Sequence, residues 1–427
     1  MKRYSILLLC LCSLTLHVGA QLKRTEAFHA KYELTKVVIL SRHNIRSPLS
    51  GNGSALSRIT PHEWFRWSSA PSELSQRGGV LETMMGQYFR EWLVEEGLMQ
   101  ENERPDKDEV RFYSNSMQRT IATAQYFSSG FLPVANVTVE HHFSVGTMDP
   151  VFKPQFTMVN DAYCNLVRRE VAQMGGEHGM AGLGESMQAN YKVLERMLDI
   201  RRSPAALEGD TTHFRLDDTD IIIEVGEEPR MRGALKLANQ ASDALILQYY
   251  EEENDRKAGF GHKLKVRDWE RIAQVKDWYG DVLFTAPSVA VNVAHPLLKC
   301  MWAELSLPSR KFTFLCGHDS NIASVLAALE AEEYSLPNSI EKKTPIGSKL
   351  VIEKWRGSDG REYAALNLVY QTTAQLRSLQ MMGLENPPMI FPIRLKGLSE
   401  NADGLYPLSE LRERFSLAIS AYDALPR

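Results

Sequence analysis

Cysteine is scarce in this chain: five in 427 residues, with Cys10 and Cys12 near the start. Beyond them only Cys164, Cys300 and Cys316 remain, enough for one disulfide at most, so a disulfide-stapled scaffold is excluded. Cys316 lies inside the apolar run FTFLCG and reads as a buried thiol. Long apolar runs are missing too. The run at residues 5–16, SILLLCLCSLTL, is shorter than the roughly 20 residues needed to span a bilayer. Lys2 and Arg3 precede it and the small residues Val18 and Ala20 follow, the grammar of a secretory signal peptide over residues 1–20, cut after Ala20. The expected protein is exported and soluble. An excess of charge of one sign is absent as well. The formal net charge of −4 supplies no general affinity for nucleic acid or acidic membrane. No HExxH and no cysteine pair at zinc spacing occurs. His141 and His142 are adjacent, and neighbours on a strand face opposite ways, so both cannot ligate one ion. The glycine-rich stretch 175–184 lacks a following Gly-Lys-Ser/Thr, and no GxSxG elbow is found. A metal-independent, cofactor-free chemistry is therefore expected.

What is present is a repeated local grammar of apolar strand, abrupt polar turn and helix. It occurs in KVVILSRHNIRSP (36–48), EVRFYSNSMQRTIATAQYF (109–127) and KFTFLCGHDSNIASVLAAL (311–329). Ser320 or Asn321 is expected to cap the third helix, and Ser114, Asn115 or Ser116 the second. Strands alternating with helices argue for an α/β domain with a mostly parallel sheet, whose ligands bind beyond the carboxyl ends of the strands. Between about 151 and 285 the strand signal fades and helical stretches such as ESMQANYKVLERMLDI and GALKLANQASDALILQYYEEE dominate. The expected organisation is an α/β domain of residues 21–150 and 286–427, interrupted by a smaller, mostly helical domain at 151–285. KLVIEKW and EYAALNLVYQ, joined by RGSDGR, predict an antiparallel hairpin.

The polar turns contain Arg42, His43 and Arg46, then Arg119, then His318 and Asp319. Three guanidinium groups in one crevice would make a bidentate clamp for a tetrahedral oxyanion. A neutral imidazole can attack phosphorus, and a carboxylic acid can protonate a departing alkoxide. From residue types alone the alternative stays open that Arg42 and Arg46 pair with structural carboxylates and that His318 is a satisfied core histidine. Trp64 and Trp67 fit either core packing or a pocket mouth.

SRHNIRSP closely resembles the RHGxRxP signature of the histidine acid phosphatases (histidine phosphatase superfamily, branch 2), and CGHDSN resembles their second, His-Asp signature. RGGVLETMMGQYFREWL, SNSMQRTIATAQYF, GTMDPVF, LQYYE, LFTAP and TPIGSKLV are similar, in order, to segments of the family's bacterial periplasmic glucose-1-phosphatases, with bacterial phytases as near relatives. The resemblance implies a large α/β domain of phosphoglycerate mutase-like type beside a smaller helical one. It implies a nucleophile at His43, a general acid at Asp319, and phosphate-binding donors at Arg42, Arg46, Arg119 and His318. Asn44 stands where the signature usually has Gly, which agrees with the glucose-1-phosphatase group. Glu228, in EEPRMRGALK, occupies the place of that group's substrate-gating glutamate, although the local pattern reads EPR where the group has EPG. The implied activity is hydrolysis of small-molecule phosphate monoesters such as glucose 1-phosphate through phosphohistidine, with no cofactor, in the periplasm or another exported location. A phytase-like activity on inositol hexakisphosphate and a non-catalytic binding protein for phosphorylated ligands are the alternatives.

Overall fold

The computed structural model describes residues 24–49 and 54–426; the expected signal peptide lies outside the described residues. Ten strands are described: β1 Tyr32–Arg42, β2 Val110–Ser114, β3 Val139–Glu140, β4 Asp220–Ile222, β5 Arg230–Arg232, β6 Phe312–Gly317, β7 Lys349–Gly357, β8 Glu362–Tyr370, β9 Met389–Pro392 and β10 Tyr406–Pro407. The principal helices are α1 Gln76–Glu95, α2 Gln118–Phe131, α3 Asp161–Met174, α4 Gln188–Leu198, α5 Ala234–Glu251, α6 Val266–Phe284, α7 Pro287–Ser306, α8 Asp319–Ala328 and α9 Leu408–Ser420.

The α/β class expected from the sequence is the observed one, with a large central sheet of order β10-β8-β7-β1-β6-β2-β3 and β9 also on β8. The sheet is mixed and changes character at β1. On one side β1, β6, β2 and β3 run parallel. On the other β7, β8, β9 and β10 pair antiparallel, beginning with the β7–β8 hairpin across 357–362. The reason is connectivity: the parallel strands are separated by long helical crossovers, whereas β7 and β8 are joined by a tight turn.

From Val37 onward β1 is buried along its length, as β-branched and aliphatic side chains covered on both faces should be. Val37 and Ile39 enter the core that also contains α1, α2 and the helices between 161 and 284. Val38 and Leu40 enter a second core under α7, α8 and α9. On the first face Phe127 and Phe131 of α2 stack on Phe314 and Phe312, with ring centroids 4.2 and 4.3 Å apart. Helices α1 and α2 touch backbone to backbone: a Cβ on Gly86 would strike the Phe127 carbonyl, and one on Gly130 the Thr83 carbonyl.

Residues 161–284 contain α3 to α6 and the small β4–β5 ribbon. Helix α6 packs on α4, α5 and α8. That last contact brings a helical wall over the carboxyl ends of the parallel strands. Among the described residues no helix is long and apolar enough to cross a membrane. Cys164, Cys300 and Cys316 are all free thiols, and Cys316 is buried as its apolar context requires.

Candidate active site

Register places the three polar turns side by side. Arg42 is paired with Gly317 and Ser114 with Cys316, so β1, β2 and β6 end together on one edge. Beyond that edge lies a cleft of about 350 Å³ lined by His43, Arg46, Arg119, Glu228, His318 and Asp319. Arg42 reaches the same cluster from below, through Asp319.

His43 is buried, and its Nδ1 lies 2.9 Å from the Asn44 carbonyl oxygen. A carbonyl only accepts, so Nδ1 carries the proton and Nε2 keeps its lone pair. Burial, then the cations Arg119 and Arg46, hold the imidazole pKa well below 6.5. It is a neutral base. The loop that presents it is fixed by Asn44. The Asn44 amide donates to buried Glu82 at 2.8 Å, its oxygen accepts the Ile45 N–H at 2.8 Å, and Glu82 pairs with Lys349 at 2.7 Å. Gly347, at φ +69°, passes so close that a Cβ there would lie 2.6 Å from the Asn44 amide nitrogen.

The arginines are restrained from behind. Arg42 donates to Glu341 at 2.8 Å and to the Thr344 carbonyl at 2.6 Å. Burial works against its charge, but Asp319 and Glu341 outweigh burial and hold its pKa above the ordinary arginine value. Arg46 donates to Asp243 at 3.0 Å. Arg119 has no such carboxylate in contact. Burial and the neighbouring Arg46 lower its pKa to about 10. The buried Nε atoms of all three guanidinium groups have no hydrogen-bond partner among the described residues. Orphaned buried donors are costly, so an acceptor placed among the three would be stabilising.

His318 is set by Asn115. The Asn115 side-chain oxygen accepts the Asp149 N–H at 2.8 Å, so its amide NH2 is the group 2.7 Å from His318 Nε2. Nε2 therefore accepts, and Nδ1 is left with the proton, 3.5 Å from the Arg119 guanidinium. Burial and Arg119 keep this ring neutral too, its pKa well below 6.5. The helix caps differ from expectation. α8 starts at Asp319 with His318 as its cap residue, the Asn321 side chain accepting the His318 N–H at 2.9 Å, so the helix begins before the expected Ser320 or Asn321 cap. α2 starts at Gln118 without a side-chain cap, because Asn115 is engaged at His318 and Ser116 in accepting the Phe143 N–H.

Asp319 faces the cleft, its side chain 36 % exposed. Lys276 of α6 donates to its Oδ2 at 2.7 Å, and Arg42 Nη2 lies 3.4 Å from the same oxygen. Burial alone would raise this carboxyl, but Lys276 and Arg42 outweigh it and hold the pKa well below 3.8. Glu228 lines the opposite wall. Burial raises its pKa, moderated by Lys153 and Arg119.

Arg42, His43, Arg46, Arg119, Glu228, His318 and Asp319, the candidate site residues from sequence, are thus in or against one cleft. Lys276, Asp243, Asp277 and Glu341 were not singled out. Asp277 is buried beside Lys276 in α6, and burial and Glu341 push its pKa up to about 7. No strand-end motif marks these residues; an isolated charge on an apolar helix face, as in AQVKDW and ANQASDAL, was the available signal. Trp64 and Trp67 line a neighbouring recess that shares Pro48 and Leu56 with the cleft. His142 stacks on Tyr113 at 4.4 Å, while His141 contacts the Phe143 carbonyl.

The sequence profile of the histidine phosphatase superfamily (branch 2) matches residues 33–371. The chain belongs to that family. It is 38 % identical to the glucose-1-phosphatase of Salmonella typhimurium over 89 % of this chain and 91 % of that one. It is 35 % identical to the glucose-1-phosphatase of Providencia rettgeri, over 94 % and 96 %. Among solved structures, the apo form of Hafnia alvei phytase superposes with a TM-score of 0.84 at 26 % identity, covering 92 % of this chain and 99 % of that one. The protein is a histidine acid phosphatase, a phosphoric monoester hydrolase of glucose-1-phosphatase-like sequence. The neutral His43 imidazole lies beside Arg119 and Arg46.

Proposed function

We propose that the protein is an exported, metal-independent phosphatase that hydrolyses sugar phosphates such as glucose 1-phosphate through a phosphohistidine on His43. The observation that carries this is the neutral His43, its Nε2 unprotonated, among three arginines with unpartnered buried Nε donors. In the first step the Nε2 lone pair forms an N–P bond as the P–O bond to the sugar breaks. Arg42, Arg46, Arg119 and the His318 Nδ1–H hold the phosphoryl oxygens and spread their charge, as transfer requires. Asp319 gives its proton to the departing sugar oxygen. In the second step Asp319, now a carboxylate, takes a proton from water. The resulting hydroxide forms the new P–O bond, the N–P bond breaks and orthophosphate leaves.

The helical segment at about 151–285 acts as the specificity-determining part, with Glu228 as a gate. Glu228 and Asp243 place carboxyl groups around the cleft, which suits hydroxyl-rich leaving groups and opposes additional phosphates. The neighbouring likeness to phytases keeps inositol hexakisphosphate as the second substrate to test. Export rests on the signal-like residues 1–20 and on the relatives' sequence similarity.

The test is phosphate release in EDTA by wild type and His43→Ala, with glucose 1-phosphate and inositol hexakisphosphate in parallel. The expected result is release from glucose 1-phosphate that persists in EDTA and falls by about 10⁴-fold or more in the variant, the scale of losing a nucleophile. Activity abolished by EDTA would overturn metal independence. A preference for inositol hexakisphosphate would overturn the sugar-phosphate assignment and leave the chemistry intact.

A further inference from the structure

A second cluster of ligand-type side chains lies away from the cleft. His62 follows the first arginine motif, Asp199 ends α4, and His262 lies in the loop before α6. None of the three lines the catalytic cleft. The Nε2 of His62 is 2.8 Å from Asp199 Oδ2, and the Nε2 of His262 is 3.2 Å from the same oxygen. One ligand atom from each residue lies within 4.8 Å of the others. We propose that His62, Asp199 and His262 form a site for a divalent transition-metal ion of the zinc type.

The geometry fits such an ion. Zinc–nitrogen and zinc–oxygen bonds of about 2.0–2.2 Å at tetrahedral angles separate ligand atoms by about 3.3 Å. Two imidazoles and one carboxylate select zinc-like ions over magnesium or calcium, which prefer oxygen ligands. One negative charge and two neutral rings leave a net charge of only +1 when a dication binds. The three side chains are 25 %, 26 % and 29 % exposed, so an ion can enter and a water can complete the coordination.

The positions are held by packing. The His62 ring stacks on Phe260 at 4.9 Å and 16°. The His262 ring meets it edge-on at 6.2 Å. Asp199 takes the left-handed conformation, φ +49°, which turns its side chain off the end of α4; aspartate tolerates that region better than most residues. A bound ion would tie the 54–67 segment to the end of α4 and to the loop leading into α6. The first of these carries Trp64, and the loop leads into the helix that carries Lys276. The site would brace the helical wall without entering the phosphoryl chemistry, and the inference is independent of the substrate assignment.

The test is calorimetric titration of the purified protein with zinc chloride and, separately, magnesium chloride at pH 7.5, with melting temperatures measured in parallel. One saturable zinc equivalent, a raised melting temperature and no magnesium heat are expected. Asp199→Asn and His262→Gln, checked for folding by circular dichroism, should each weaken that equivalent by more than the roughly 10–100-fold that loss of an outer-shell partner costs. No saturable zinc binding by the wild type would overturn the proposal. Folded variants that bind as tightly as wild type would also overturn it, by placing the zinc elsewhere.

Discussion

One side of the cleft takes its side chains from the turns at the carboxyl ends of three parallel strands, whereas the facing wall takes them from α5, α6 and the loop at Glu228. The two are built on different terms. At the strand ends, position follows from register. Arg42, Arg119 and His318 are close because β1, β2 and β6 are neighbours and end together. Hydrogen bonds from Arg42 to Glu341 and the Thr344 carbonyl, and from Asn115 to His318, leave Arg42 and His318 little freedom. The wall is held by helix packing and presents single side chains of both signs: Lys276, Asp243, Asp277 and Glu228. The strand-end side is a cationic cluster, and the facing side is a mixed-charge surface tied to it by Asp243 at Arg46 and Lys276 at Asp319. On the proposed reading the first side carries the phosphoryl chemistry and the second the choice of leaving group.

The two sides meet at Asp319, and substituting it should give the largest effect after that of His43. Asp319→Asn keeps the size and removes the acid. Hydrolysis of glucose 1-phosphate should fall by about 10²–10⁴-fold. With 4-nitrophenyl phosphate, whose leaving group needs no proton, the loss should be far smaller. Equal losses on both esters would assign Asp319 to positioning and not to proton donation.

Lys276 measures how strongly the wall reaches into the chemistry. As the protein stands, Lys276 and Arg42 keep Asp319 ionised. On the proposed reading Asp319 is the general acid and must be protonated, so a bound phosphate dianion would have to draw those cations away and return Asp319 to a higher pKa. Lys276→Met removes the lysine permanently. An opposite charge this close lowers a carboxyl pKa by roughly 1–3 units. Its loss should therefore raise the Asp319 pKa and move the alkaline limb of kcat/KM to higher pH. KM for the dianion should rise by about 10-fold, the cost of one phosphate-directed charge. Lys276→Arg should restore the wild-type limb. A pH profile that does not move would confine Lys276 to packing.

The same contrast explains what could be read from sequence. VVILSRHNIRSP and FTFLCGHDSN join a buried strand to a polar turn within a dozen residues, so the strand-end rule and the family likeness both address them. The mixed nature of the sheet was half legible: the RGSDGR hairpin announced β7 and β8, but nothing local shows that they continue the same sheet beyond β1. Lys276 and Asp243 could not be aimed from sequence. A charge on a helix is ordinary, and only the packing of α6 against α8 turns Lys276 toward Asp319. The same limit hid the approach of His62, Asp199 and His262, whose segments meet only in the folded chain.

Glu228 offers the smallest change and the finest discrimination. It lies on the wall, partly buried, and burial raises its pKa. Around pH 4 to 5 it is therefore more protonated than an exposed glutamate, and its repulsion of phosphate grows as the pH rises. Glu228→Gln keeps the hydrogen-bonding shape and deletes the charge. The ratio of kcat/KM for glucose 1-phosphate to that for inositol hexakisphosphate should fall by about 10-fold near pH 6, equivalent to about 1.4 kcal/mol of selectivity. The difference between variant and wild type should shrink as the pH is lowered, because the wild-type carboxyl then loses its charge as well. Turnover of 4-nitrophenyl phosphate should change little, since that ester carries neither sugar hydroxyls nor extra phosphates. A selectivity ratio that is unchanged at every pH would move the gate from Glu228 to the other wall carboxylates. Asp243 would then be the next to test, because it restrains Arg46 and faces the same cleft.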